Sequence, residues 1–358
     1  MPFQNKSQRD FISRFVKGKY EREENKMRKG LVLFLIVTFI VSISIINFGY
    51  KGGVVEEVAL AAEKASEERY VFISIVSAHP FWIDAKEGGR DAAEQLGVTF
   101  EYTGPAELDF AAQATTFEQV MATKPAGLIT TGHNPDAMVP VINKAIDKGI
   151  PVFTVDTDAP TSKRLTYIGT NNYNAGIFMG KLVESILGGE GSIGISTQPG
   201  QFNLEERIRG LEDYLAENTN IKIVATADNK SDDSVATDAT AAMIQSHPEI
   251  NLVTSMNATG AGVAAALRQT GKVGKVHAVV FDVTEPILNG VKDGTLDATI
   301  AQRTYLFTYL AVKLMYDYNH GNMNNMVGVA QGVIPLPNII DTGVIAVTKD
   351  NVDAYFRK

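Results

Sequence analysis

From Tyr70 onward, short β-rich runs alternate with segments of helical spacing, and the alternation goes round twice. No other feature constrains the fold as much, because strand–helix repeats bury apolar strands in parallel sheets with helices on both faces. The first round predicts strands at Tyr70–Val76, Val98–Tyr102, Gly127–Thr131, Pro151–Val155 and Leu165–Ile168. Helices at Phe81–Leu96, Phe110–Thr123 and Pro135–Lys148 fall between them, the first stopping before Gly97 and the last on Gly149. A second round starts after Asn171, with helices at Ala175–Leu187, Glu205–Glu217, Ser234–Gln245, Gly260–Thr270 and Glu285–Asp293. Its strands are Ser192–Ser196, Lys222–Ala227, Leu252–Ser255, Val276–Phe281 and Ala298–Ala301. No Gly/Ser linker separates the rounds, and 358 residues suffice for two domains at about 100–200 residues each. The fold class is α/β: two Rossmann-like lobes with parallel sheets, in close contact.

An apolar run precedes the lobes. Leu31–Phe48 is 18 residues without a charge, at the lower end of what spans a bilayer core of roughly 30 Å. Residues 1–30 hold nine Lys/Arg against four Asp/Glu. The positive-inside rule places that basic segment in the cytoplasm and everything after Gly49 outside it. A cleavable signal peptide is the alternative, but it needs a shorter apolar region and an early small-x-small site. The first Ala-x-Ala here, Ala59-Leu60-Ala61, lies well beyond the run. The expectation is one N-terminal transmembrane helix or uncleaved anchor at 31–48 in the cell membrane. A stalk at 49–68 follows, with a weak apolar stripe at Val54, Val55, Val58, Leu60 and Ala61. Of the formal charge of −8, the part after residue 30 carries −13, so it is a poor partner for nucleic acid. The chain has no cysteine, which excludes disulfides, thiolate metal sites, catalytic thiols and a lipobox.

In parallel sheets, ligands bind at the carboxyl ends of strands. Residues that directly follow strands are therefore the informative ones: His79, Phe81 and Trp82, then Asp156, Asn257, Asp282 and Gln302. Enzyme readings are thin. The five histidines (79, 133, 247, 277 and 320) show no metal-ligand spacing, and neither a nucleophile elbow nor a P-loop occurs. Gly260-Ala261-Gly262 opens a helix after a strand, with Asp282 about 20 residues on, the spacing of a dinucleotide fingerprint. An NAD-type dehydrogenase is accordingly the remote alternative, although tight helix–strand packing explains the same glycines. A sugar suits the strand-end residues better. Its vicinal hydroxyls can be chelated by Asp, Asn, Gln and Arg, and its apolar C–H faces can be covered by an aromatic ring. No cofactor or metal is expected.

The order His79-Pro80-Phe81-Trp82, Val155-Asp156, Ile168-Gly169-Thr170-Asn171, Arg207-x-x-Gly210, Met256-Asn257, Phe281-Asp282 and Ile300-Ala301-Gln302 resembles the type 1 periplasmic sugar-binding proteins. The ribose-, xylose- and galactose-binding members are the nearest in pattern. The resemblance runs from Arg69 to Lys358. It implies two lobes joined by three crossings, near Asn171, Gln302 and Val329, that close on one monosaccharide. It divides the chain into a first lobe of 69–170 plus 303–329 and a second of 171–302 plus 330–358. It also implies ligand contacts from His79, Phe81, Trp82, Asp156, Asn203, Glu205, Arg207, Asn229, Asn257, Asp282 and Gln302. Three positions depart from the ribose-binding pattern. Thr157 stands where an Arg usually follows the Asp, Asn203 and Glu205 occupy a loop where an Arg is common, and Asn229 replaces a common aromatic. The expected function is non-enzymatic binding of a monosaccharide, a pentose such as xylose, with signalling to a membrane histidine kinase. The substrate-binding component of an ABC sugar importer, with a permease as partner, is the alternative. A ligand-dependent homodimer is a further expectation.

Overall fold

The computed structural model describes residues 68–356. The basic segment 1–30, the apolar run 31–48 and the stalk up to residue 67 lie outside them. Among the described residues, no helix is long and apolar enough to cross a membrane.

Two lobes form, each around a six-stranded sheet. The first contains β1 (Arg69–Ile73), β2 (Thr99–Thr103), β3 (Gly127–Thr130), β4 (Val152–Val155), β5 (Thr166–Gly169) and, from far along the chain, β11 (Ile339–Asp341). Its order is β11-β5-β4-β3-β1-β2, parallel throughout. The second contains β6 (Glu190–Thr197), β7 (Asn220–Asp228), β8 (Leu252–Ser255), β9 (His277–Phe281), β10 (Ala298–Gln302) and β12 (Val344–Thr348). Here the order is β12-β10-β9-β8-β6-β7, and β12 runs antiparallel to β10, so this sheet is mixed where an all-parallel one was expected.

Both faces of each sheet are buried, which is why strands such as β3 and β4 are buried at every position. Side chains alternate across β1: Tyr70 and Phe72 pack under α1 (Ile83–Leu96) and α9 (Thr304–Asn319), whereas Val71 and Ile73 pack under α2 (Phe110–Ala122) and α3 (Pro135–Asp147). In the second lobe α4 (Asn172–Leu187) and α5 (Phe202–Asn218) cover one face. The other is covered by α6 (Asp233–Ser246), α7 (Gly260–Gln269) and α8 (Glu285–Asp293). A Cβ at Gly176 of α4 would lie 2.0 Å from the Arg207 carbonyl oxygen, and one at Gly210 of α5 2.0 Å from that of Tyr173. The two helices therefore meet backbone to backbone, and this sets the rotation of α5 about its axis. Gly260 and Gly262 are likewise filled by neighbours, Val280 and the Asp233 carbonyl. Packing accounts for the fingerprint spacing.

Three elements were not foreseen: α9, β11 and β12. Helix α9 buries Phe307, Ala311, Val312 and Met315, but it is also apolar on its outer sides at Leu306, Leu310 and Leu314. No clean stripe marks it in the sequence. Strand β11 has only three residues and pairs with β5, 172 positions earlier.

Three crossings join the lobes. Thr170 and Asn171 link β5 to α4, and Arg303 links β10 to α9. The third was expected near Val329, with 330–358 in the second lobe. The chain instead remains with the first sheet through Asp341 and crosses before Val344. A buried ion pair explains the delay. Arg164 binds Asp158 at 2.6 Å, and its Nη1 donates to the carbonyl and side-chain oxygens of Asn338 at 2.8 and 2.6 Å. That holds the returning segment against the first lobe. The crossings are also tied to one another: Asn171 N donates to Asp341 Oδ1 at 3.0 Å, and Thr342 N to the Gly169 carbonyl at 2.8 Å.

Candidate functional site

A cavity of about 470 Å³ opens between the lobes, lined from both. The first lobe contributes Ile75, His79, Phe81, Trp82, His133 and Asp156. The second contributes Asn203, Leu204, Arg207, Asn257 and Asp282, with Gln302 at the second crossing.

Arg207 is the centre of its electrostatics. It is 1% exposed and rises from α5 with its guanidinium 4.1 Å from the centroid of the Phe281 ring. Nε donates to Asn172 Oδ1 at 2.8 Å and Nη1 to the Met256 carbonyl at 2.7 Å, while Nη2 is buried without a partner. A buried cation needs compensating charge. Asp156 and Asp282 supply it, since both interact with Arg207 electrostatically. Burial raises the Asp156 carboxyl to about 7, against the opposing pull of Arg207 and the Thr157 hydroxyl. Burial also raises Asp282, opposed by Arg207 and by Gln302. Each aspartate follows its strand in a left-handed backbone, φ 62° at Asp156 and 75° at Asp282. Among non-glycine residues, Asp and Asn adopt this conformation most readily.

His133, absent from the residues expected at the site, belongs to it. Thr157 Oγ1 donates its one proton to Asp156 Oδ2 at 2.9 Å and lies 3.2 Å from His133 Nε2. The ring must then donate through Nε2, and Nδ1 is left as a buried acceptor without a partner. Burial, and secondarily Arg207, lowers its pKa to about 3, so its 3.5 Å approach to Asp156 is a contact of a neutral ring. Like the other candidates, His133 closely follows a strand, β3. The strand-end rule that marks His79 applies to His133 as well, three residues past β3. Among the described residues no cluster of His, Asp or Glu could hold a metal ion.

Two expected contacts fall elsewhere. Glu205 is exposed, and its Oε1 accepts from Gly200 N at 3.1 Å, bracing the loop before α5. On a helix, a residue two positions from Asn203 and Arg207 faces away from their shared side. Asn229 is fully buried and lies behind the wall: its Nδ2 donates to Asn257 Oδ1 at 2.9 Å, and its Oδ1 accepts from Asn257 Nδ2 at 3.1 Å. It orients Asn257, which lines the cavity. Trp82 serves both the core and the cavity. At 2% exposed it packs edge-on to Phe72 and Phe81, at 5.4 and 4.7 Å between centroids, and still reaches the cavity wall. His79 Nδ1 accepts from Phe81 N at 3.2 Å and so fixes the turn that presents both rings.

Residues with donors (Arg207, Gln302), residues with acceptors (Asp156, Asp282, Asn203) and aromatic rings thus line one cavity. Asn203 Oδ1 is buried without a partner, as is Arg207 Nη2. A small neutral molecule rich in hydroxyls matches the mixture of donors, acceptors and rings that lines the cavity.

Residues 70–322 match the family model described as periplasmic binding protein domain. The chain is 27% identical over 305 residues to the xylose/arabinose-binding protein XylF of Sulfolobus acidocaldarius, covering 80% of this chain and 72% of that one. A solved sugar-binding protein of a sugar ABC transporter from Bacillus halodurans is similar at 33% identity and TM-score 0.76, over 81% of this chain and 100% of that one. The XylFII–LytSN complex is similar at 28% identity and TM-score 0.72, over 79% of this chain and 98% of the matched one.

Proposed function

The chain belongs to the periplasmic binding protein family, and from that premise we propose that its cavity closes on one monosaccharide, a pentose such as xylose. Members of this family bind ligands without turnover, and this chain is a binding protein rather than an enzyme. The observation that carries the sugar reading is the lining of one cavity by Asp156 and Asp282, one from each lobe, together with Arg207, Asn203, Asn257 and Gln302 and the rings of Phe81 and Trp82. Vicinal hydroxyls pair with those polar groups and the sugar's C–H face covers the rings. The xylose/arabinose-binding relative supports the pentose. Calorimetric titration of the chain with aldopentoses, aldohexoses and pentitols tests it. One sugar should bind and be recovered unchanged; no heat with any of them, or a chemically altered sugar, overturns the reading.

The signal then passes to a membrane kinase. Two observations favour this: the uncharged run Leu31–Phe48, which would hold the lobes outside the cytoplasm on a single span, and a relative found in a complex, XylFII–LytSN. Tethering raises the effective concentration of a weak partner in the same membrane, and pairing of two copies on sugar binding belongs to the same reading. Delivery to an ABC permease is the second reading, favoured by the likeness to a transporter's sugar-binding protein.

A further inference from the structure

A run of polar contacts through the crossings joins the backbone of Asp156 to the carboxylate of Asp282. Tyr167, buried on β5, places its hydroxyl 2.7 Å from the carbonyl oxygens of both Asp156 and Thr170, which share its one proton. Thr170 Oγ1 donates to Gln302 Oε1 at 2.8 Å, and Gln302 Nε2 donates to Asp282 Oδ1 at 2.8 Å. Thr170 sits on the first crossing and is 1% exposed, while Gln302 ends β10 at the second. Thr170 and Tyr167 do not line the cavity; Asp156, Asp282 and Gln302 do.

The chemistry of the middle bond is directional. An amide presents an oxygen acceptor on one side and an NH₂ donor on the other. Because the Thr170 hydroxyl donates to Oε1, Nε2 must face Asp282, which leaves its second hydrogen for a ligand. With the amide turned over, Oε1 would meet the Asp282 carboxylate, acceptor against acceptor. We infer that Thr170 is a positioning residue that sets which face of Gln302 the ligand meets and ties the first crossing to the second. The inference rests on the sugar-binding reading for its ligand. Its mechanical half does not need a ligand, because the Thr170–Gln302 bond spans two of the three crossings. A change in the angle between the lobes must bend or break it, so cavity occupancy and lobe angle share one hydrogen bond.

The test uses the full chain in detergent or nanodiscs. The chain has no cysteine, so Gln119→Cys on α2 and Asp238→Cys on α6, both exposed, accept spin labels that report the distance between lobes. Thr170→Val removes the donor at nearly constant volume, and Thr170→Ser restores it. The Val variant should lose on the order of tenfold in xylose affinity and broaden the distance distribution with and without sugar, while Ser keeps wild-type behaviour in both. Wild-type affinity and an unchanged distribution in the Val variant would overturn the inference. Should Val prevent folding, Thr170→Ala removes the same donor at smaller steric cost and is read in the same way. If the unmutated chain binds no sugar, the sugar reading fails by itself, and the ligand-free distribution still decides whether Thr170 ties the crossings.

Discussion

Asp156 and Asp282 end equivalent strands of the two lobes in the same left-handed conformation, φ 62° and 75°, and both carboxylates interact electrostatically with one arginine, Arg207. In each, the backbone N–H still pairs with the neighbouring strand, Asp156 with the Ile168 carbonyl at 3.3 Å and Asp282 with that of Ile300 at 2.9 Å. The sheet therefore holds a conformation that costs of order 1–3 kcal/mol in isolation. Such strain persists where the surrounding structure requires it. Here it delivers one acceptor from each lobe to the same cavity.

Replacing Asp282 separates binding from folding. Asn tolerates the same backbone, so Asp282→Asn should leave the ligand-free melting temperature within a few degrees of wild type while sugar affinity falls at least tenfold. A lost hydrogen bond to a charged group is worth about 1.5–3 kcal/mol. Calorimetry and thermal melts on one preparation check it, and a large fall in melting temperature with intact affinity would mean that the residue acts only as a turn cap.

Acidity should reveal Asp156. Its carboxyl is raised from 3.8 to about 7, so the folded state holds that proton more tightly than the unfolded chain does. The resulting stability is present in full below the unfolded pKa, and it is lost as pH rises through about 7. Asp156→Asn should remove this slope, raising the melting temperature at about pH 8 by 2 °C or more and changing it little at about pH 4. Hydroxyl donors favour the ionised carboxylate, so sugar affinity of the wild type should rise across the same window.

Trp82 is the only tryptophan, and its two roles predict two separable effects. Sugar should shift its emission, because part of the ring lines the cavity. Trp82→Ala should cost about 3–5 kcal/mol of stability, the range for deleting a buried aromatic. Phe81 is only half-buried, so Phe81→Ala should instead weaken sugar binding with a smaller loss of stability. Denaturant melts of both variants, alongside titrations, would detect the reverse order.

The partner is open to direct capture. A ligand shifts a partner's equilibrium only through its different affinity for open and closed states, so sugar should change what co-purifies with the full chain from membranes. A sensor kinase whose recovery depends on xylose supports signalling. Recovery of a permease alone, or a mature N-terminus beyond Phe48, supports import instead.

The alternation of strands and helices was legible in the sequence because burial on both sheet faces forces continuous apolar strands, and the strand ends then marked Asp156, Asn257, Asp282 and Gln302 as candidates. Helical spacing alone separates Asn203 and Arg207, four apart, from Glu205 on the other side of α5. What the sequence could not decide was set by contacts between distant segments. Gly176 against Arg207 and Gly210 against Tyr173 fix the rotation of α5, and that rotation brings Arg207 over the Phe281 ring at the cavity wall. The third crossing lies past Asp341 because Arg164 holds Asn338, a bond across 174 positions. Asn229 stands behind Asn257 for a similar reason: residues on different strands become first neighbours only when β7, β6 and β8 pair. Local pattern determines which segments are strands or helices because it depends on burial along one element. Which side chains share a cavity depends on how elements far apart in the chain pack, and that is a property of the tertiary structure alone.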